Sequence, residues 1–192
     1  MKRLACLAAV SLATSGAASA QLVQEVRAGG LAHNICVVNC DNANQEDGFN
    51  VQGEIVFDRP DFFKYLLKPR PFIVGSVNTA GDTSFGGFGL VWNWDFARKW
   101  SLEPSLGYVI HTGELEVPFP IGDPRNLEFD ENNILFGSRD LFRTTLALNR
   151  DLGDNWGVQV IFEHLSHGQI LGDGRNQGND SLGGRVYYRF GG

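Results

Sequence analysis

Apolar and polar residues alternate along most of the chain with a period of two. In 88–96 the even positions are Phe88, Leu90, Trp92, Trp94 and Phe96, and the odd ones are Gly89, Val91, Asn93 and Asp95. In 102–111 Leu102, Pro104, Leu106, Tyr108 and Ile110 alternate with Glu103, Ser105, Gly107, Val109 and His111. In 156–163 Trp156, Val158, Val160 and Phe162 face Gly157, Gln159, Ile161 and Glu163, and 182–190 sets Leu182, Val186, Tyr188 and Phe190 against Arg185, Tyr187 and Arg189. Successive side chains on a strand point to opposite faces, so each segment predicts a strand with one large apolar face and one small or charged face. No window sustains a helical period; Phe62–Leu67 gives only a hint of one.

Eight such segments can be drawn, at about 23–34, 48–58, 71–80, 85–96, 99–112, 134–149, 155–167 and 179–190. The pattern predicts an all-β protein, an eight-stranded antiparallel transmembrane β-barrel. Its apolar face turns to lipid and its polar face fills the interior. Three features favour this over a soluble barrel. The apolar face is rich in aromatics, as membrane-interface girdles are. The other face carries Glu25, Arg27, Glu54, Glu103, Arg143, Glu163, Arg185 and Arg189, opposite charges suited to pairing in a narrow lumen. The segments are also about ten residues long, enough to span a bilayer at a tilt. Connections 35–47, 113–133 and 168–178 are long and are assigned to the outside of the cell. Those near 97–98 and 150–154 are tight. Connection 59–70, with Pro60 and Pro69, predicts a short helix on the periplasmic rim. Aromatics end the last segment, as outer-membrane strands commonly do, although Gly191 and Gly192 follow them.

Composition alone would have suggested a soluble domain. The chain has 192 residues, a net charge of −6 and a mean hydropathy of −0.14. The absence of a Lys/Arg cluster argues against nucleic acid as partner. Lys2 and Arg3, the apolar Leu4–Leu12 and the small-residue Ala18-Ser19-Ala20 read as a secretory signal peptide over 1–20. Residues 21–192 then form a single outer-membrane barrel domain. Export makes the context of Cys36 and Cys40 disulfide-permissive, and their spacing could close a small loop staple; a disulfide and two free loop thiols both stay open. A metal site with His33 lacks a fourth ligand of fitting spacing. His33 and His111 read as inward-facing rim histidines. In 113–133, Glu114, Glu116, Asp123, Glu128, Asp130 and Glu131 stand against Arg125 alone, as expected of a solvated acidic loop.

One constellation suggests chemistry. His164 and Ser166 are two apart on the seventh segment and share the lipid-facing parity of Val160 and Phe162. Asp180 shares the outward parity of Leu182 and Val186. A last hairpin centred on residue 172 places Asp180 opposite His164. An acid that orients an imidazole, which in turn takes a serine proton, is the arrangement that makes a serine attack an acyl carbonyl. The bland reading of a His and a Ser at a strand's rim is that both are simply solvated.

His164-Leu165-Ser166-His167-Gly168 followed by Asn176-Gln177-Gly178-Asn179-Asp180 resembles the His-x-Ser-Asn and Asn-x-Gly-x-Glu signatures of the PagL-type lipid A 3-O-deacylases. Further similar stretches are Ala28–His33, Asn78–Thr83, His111–Gly113 and Phe136–Arg143, so the resemblance covers most of the chain after residue 20. It implies an eight-stranded outer-membrane barrel that hydrolyses the ester-linked 3-hydroxyacyl chain at position 3 of lipid A without a cofactor or metal. It also implies Ser166 as nucleophile, His164 as general base and Asp180 as the acid. The chain departs from the pattern twice. The family's acid is usually Glu, one methylene longer than Asp180. The family's Asn after the serine is His167 here, which leaves His167 and the Gly168 N–H as candidate oxyanion donors, with strict alternation turning His167 inward.

The expected partners are therefore lipid A or lipopolysaccharide and the outer membrane itself, with a homodimer left open. The competing readings are a non-catalytic structural or adhesive barrel, and a soluble lipocalin-like carrier with the two faces exchanged.

Overall fold

The computed structural model describes residues 22–38, 40–43 and 45–191; the expected signal peptide lies outside them. The strands are β1 (Val23–Ala32), β2 (Phe49–Phe57), β3 (Arg70–Asn78), β4 (Phe85–Val91), β5 (Trp94–Ala97), β6 (Trp100–His111), β7 (Asp140–Gly153), β8 (Trp156–Ser166) and β9 (Asn179–Arg189). β4 and β5 are two halves of one strand, interrupted at Trp92 and Asn93, and both pair with β6. All pairings are antiparallel between chain neighbours, and β1 pairs with β9 to close an eight-stranded barrel. Closure leaves no open sheet edge, which is what a strand structure in lipid requires.

Parity decides which face is which. Phe88, Leu106, Ile110, Val160, Leu182 and Val186 are exposed on the outer wall, while Glu25, Arg27, Glu54, Glu103, Arg143, Glu163 and Arg185 are buried inside. An apolar exterior around a charged interior rules out the soluble-carrier alternative. The buried charges are mutually satisfied. Arg27 grips Glu103 with a two-pronged bond of 2.6 and 2.9 Å and also donates to Glu25 and Glu54. Arg143 donates to Glu163, Glu54 and Gln52, and Arg185 to Glu54, Gln52 and Gln159. Desolvated charges persist only with such partners. The lumen is tight enough to require glycine in places: a Cβ on Gly157 would lie 2.0 Å from the Tyr187 ring.

Two local expectations are corrected. The sixth strand begins at Asp140 and not at 134. Ile134, Leu135 and Phe136 are three consecutive buried apolar residues, which a one-sided strand cannot accommodate. They fold over the long-loop mouth, where Phe136 packs on His111 with ring centroids 4.4 Å apart. The acidic loop contains a helix, α1 (Arg125–Asn132), too short to show a helical period; the Asp123 carboxylate accepts the Arg125 N–H at its start. The connection after β2 does form the expected short helix, a 3-10 segment at Asp61–Tyr65 at the short-turn end, tied to the barrel by Trp92 Nε1–H donating to the Leu66 carbonyl.

Candidate active site

β8 and β9 carry the candidate residues, and their register is the one the last hairpin predicts: His164 lies opposite Asp180. On the other side of β8, Phe142 and Thr144 of β7 lie opposite Ser166 and His164. The three polar side chains meet at the long-loop end of the outer wall. His164 Nδ1–H donates to Asp180 Oδ1 at 2.7 Å, and His164 Nε2 accepts from the Ser166 hydroxyl at 3.1 Å. The imidazole tautomer this requires has its proton on Nδ1, the form an adjacent carboxylate selects. Only 19% of the His164 side chain is accessible, whereas Asp180 is fully buried.

That burial was not legible from parity, which puts position 180 on the lipid side. The cover comes from the loop after β1. β1 is the barrel neighbour of β9, so the chain leaving β1 continues alongside it, and Ile35 N–H donates to the Asp180 carbonyl at 2.9 Å. The loop then bends over the carboxylate, and Val37 and Val38 N–H donate to Asp180 Oδ2 at 3.3 and 2.5 Å. A disulfide joins Cys36 and Cys40 around these amides. The sequence marked the two cysteines as a small staple but gave no sign of which surface the staple covers.

The candidate oxyanion donors part company. His167 is fully buried and turned into the barrel, as alternation requires. Its Nε2–H donates to the Arg175 carbonyl at 2.9 Å and its Nδ1 accepts from Gln169 N–H at 3.1 Å. With both ring nitrogens engaged on the inner side, His167 does not replace the Asn expected after the serine; it pins the loop that follows β8. Gly168 lies in that turn with φ +62°, against the outward-facing Phe142 ring. Its N–H donates to no protein acceptor among the described residues. His33 and His111 both face inward. His33 bonds Glu46 at 2.7 Å, and His111 bonds the Ser138 carbonyl at 2.7 Å. Among the described residues no cluster of His, Cys, Asp and Glu is arranged to hold a metal ion.

These features define a bacterial outer-membrane β-barrel protein with a Ser-His-Asp constellation on its outer wall. No family model and no curated protein matches the sequence. Among solved structures, the crystal structure of the outer membrane enzyme PagL superposes with a TM-score of 0.59 at 14% identity, over 86% of this chain and 99% of that one. Neisserial surface protein A follows at a TM-score of 0.49 and 11% identity (90% and 98% covered), and the Yersinia pestis outer membrane protein Ail at 0.45 and 11% (88% and 100%). At these identities the likeness to PagL establishes a common barrel fold.

Proposed function

We propose that the protein is an interfacial serine esterase that removes the 3-O-linked 3-hydroxyacyl chain of lipid A. The observation that carries the reading is the unbroken hydrogen-bonded chain Asp180–His164–Ser166, set on the lipid-facing wall at the long-loop rim. Polar side chains at such a position gain nothing from lipid, and a simple solvated rim does not need a fully buried carboxylate behind the histidine.

In this mechanism an acyl chain lies along the apolar outer wall, which places its ester at the depth of Ser166. Ser166 Oγ attacks the ester carbonyl carbon as its proton passes to His164 Nε2. Asp180 stabilises the imidazolium without taking the proton. The tetrahedral oxyanion needs donors placed in advance, and the uncommitted Gly168 N–H is the candidate among the described residues. Collapse expels the sugar 3-oxygen, which takes the proton from His164. Water, deprotonated by His164, then hydrolyses the acyl-Ser166 ester and restores the serine. The choice of lipid A rests on the sequence resemblance, and the choice of acyl-ester chemistry on the site.

The test is incubation of the detergent-folded protein with purified lipid A, read by mass spectrometry. The expected product lacks one 3-hydroxyacyl group and is absent with a folded Ser166→Ala variant. Unchanged activity in Ser166→Ala removes the nucleophile assignment. Inactivity of the parent protein on several lipid A types favours a non-catalytic barrel.

A further inference from the structure

We propose that the disulfide-closed segment Cys36–Cys40 is a positioning element for Asp180, whose orientation toward His164 depends on the loop being closed. Position 180 belongs to the outer wall, beside the exposed Leu182. A carboxylate there needs cover and directed donors, because it would otherwise turn toward headgroups and water. The loop supplies both. Val37 and Val38 N–H hold Oδ2, which leaves Oδ1 turned to His164 Nδ1–H.

Among the described residues, side-chain packing does not hold this segment in place. Cys36, Val37, Val38, Cys40 and Asp41 are all exposed, and Val37 and Val38 point their apolar side chains outward. What fixes the segment is covalent and flanking. The disulfide closes a ring four residues in span, which restricts the backbone carrying the two donor amides. Beyond the ring, Asn42 Nδ2 donates to the Gly178 carbonyl, two residues before Asp180. Further along, Glu46 accepts from Thr83 and bonds His33 inside the barrel. The loop is thus anchored on either side of the donors, and among the described residues the donors themselves are constrained by the disulfide and by their bonds to Asp180. An exported chain carries such a bond stably.

The inference uses the proposed esterase reading for its kinetic arm alone; a second arm is independent of activity. The disulfide is opened in the folded barrel with a thiol reductant, and separately by a Cys36→Ser/Cys40→Ser double variant whose folding is checked by heat-dependent gel mobility. The probe substrate is a medium-chain aryl ester in detergent micelles. Opening is expected to lower kcat about tenfold with KM little changed, the size of effect that one lost orienting hydrogen bond produces. In an Asp180→Asn background, opening is expected to cause almost no further loss, because the group being positioned has already been altered. An unchanged kcat, or the same fractional loss in both backgrounds, overturns the proposal.

The second arm is amide hydrogen exchange at Val37 and Val38. Protection is expected in the oxidised parent, with exchange at least about tenfold faster both after opening and in Asp180→Ala. Exchange insensitive to either change overturns the positioning whatever the esterase assay shows. Exchange that accelerates as predicted on opening and in Asp180→Ala, in a parent protein inactive on every ester, retains the positioning and removes the esterase reading.

Discussion

Asp180 is a lipid-side residue by parity and a fully buried one in the fold. The difference comes from the Ile35, Val37 and Val38 amides of another loop, none of which has a side chain that a sequence motif would single out. The acid is enclosed, with Oδ2 committed to the Val37 and Val38 amides and Oδ1 to His164, so its chain length is set by a cavity and not by an open surface. Asp180→Glu is therefore expected to lower kcat by about one to two orders of magnitude, because an added methylene displaces the carboxylate by an ångström or more. The barrel is expected to remain folded; steady-state kinetics and gel mobility check both. His167 gives the opposite case, since strict alternation turned it inward and its ring is found there. What alternation could not supply was its pair of partners, the Arg175 carbonyl and the Gln169 amide, which come from the loop after β8.

The strands were largely legible because lipid on one side and a narrow lumen on the other impose the same period-two rule on every one of them. Glu103, Ser105, Gly107, Val109 and His111 are all buried on β6, as their odd positions require. The rule stops where the environment changes. Ile134–Phe136 is apolar for a different reason, as a plug over the mouth, and apolar character alone does not distinguish plug from wall. α1 was hidden by its length. The small residues of the inner face carry their own prediction. Gly157 on β8 lies under the Tyr187 ring of β9, so Gly157→Val is expected to destabilise the barrel by about 1–3 kcal/mol, the usual cost of overpacking. Urea unfolding in detergent followed by intrinsic fluorescence measures it. The equivalent change at Gly53, where a Cβ meets nothing within 4 Å, serves as the control.

The whole molecule turns an ordinary protein inside out, with an aromatic and aliphatic surface around a core of ion pairs. Parity identified which charges lie inside; the sequence had no means of pairing them, because the partners come from strands far apart in the chain. Arg143 reaches Glu54, 89 residues away, and Arg27 reaches Glu103, 76 away. Removing one member strands the others in a desolvated lumen. Arg143→Met is accordingly expected to cost about 3–5 kcal/mol, measured by the same urea titration. The site stands apart from this network, on the outer wall at the rim, which is where an enzyme acting on its own membrane would need it. The most direct measurement of that claim is covalent labelling of the folded protein by a long-chain fluorophosphonate, with the modified residue located by peptide mass spectrometry. Label on Ser166 of the parent protein, and none on His164→Ala, is the predicted result. A parent protein that stays unlabelled, or one labelled equally in His164→Ala, would contradict an activated serine on the lipid-facing wall.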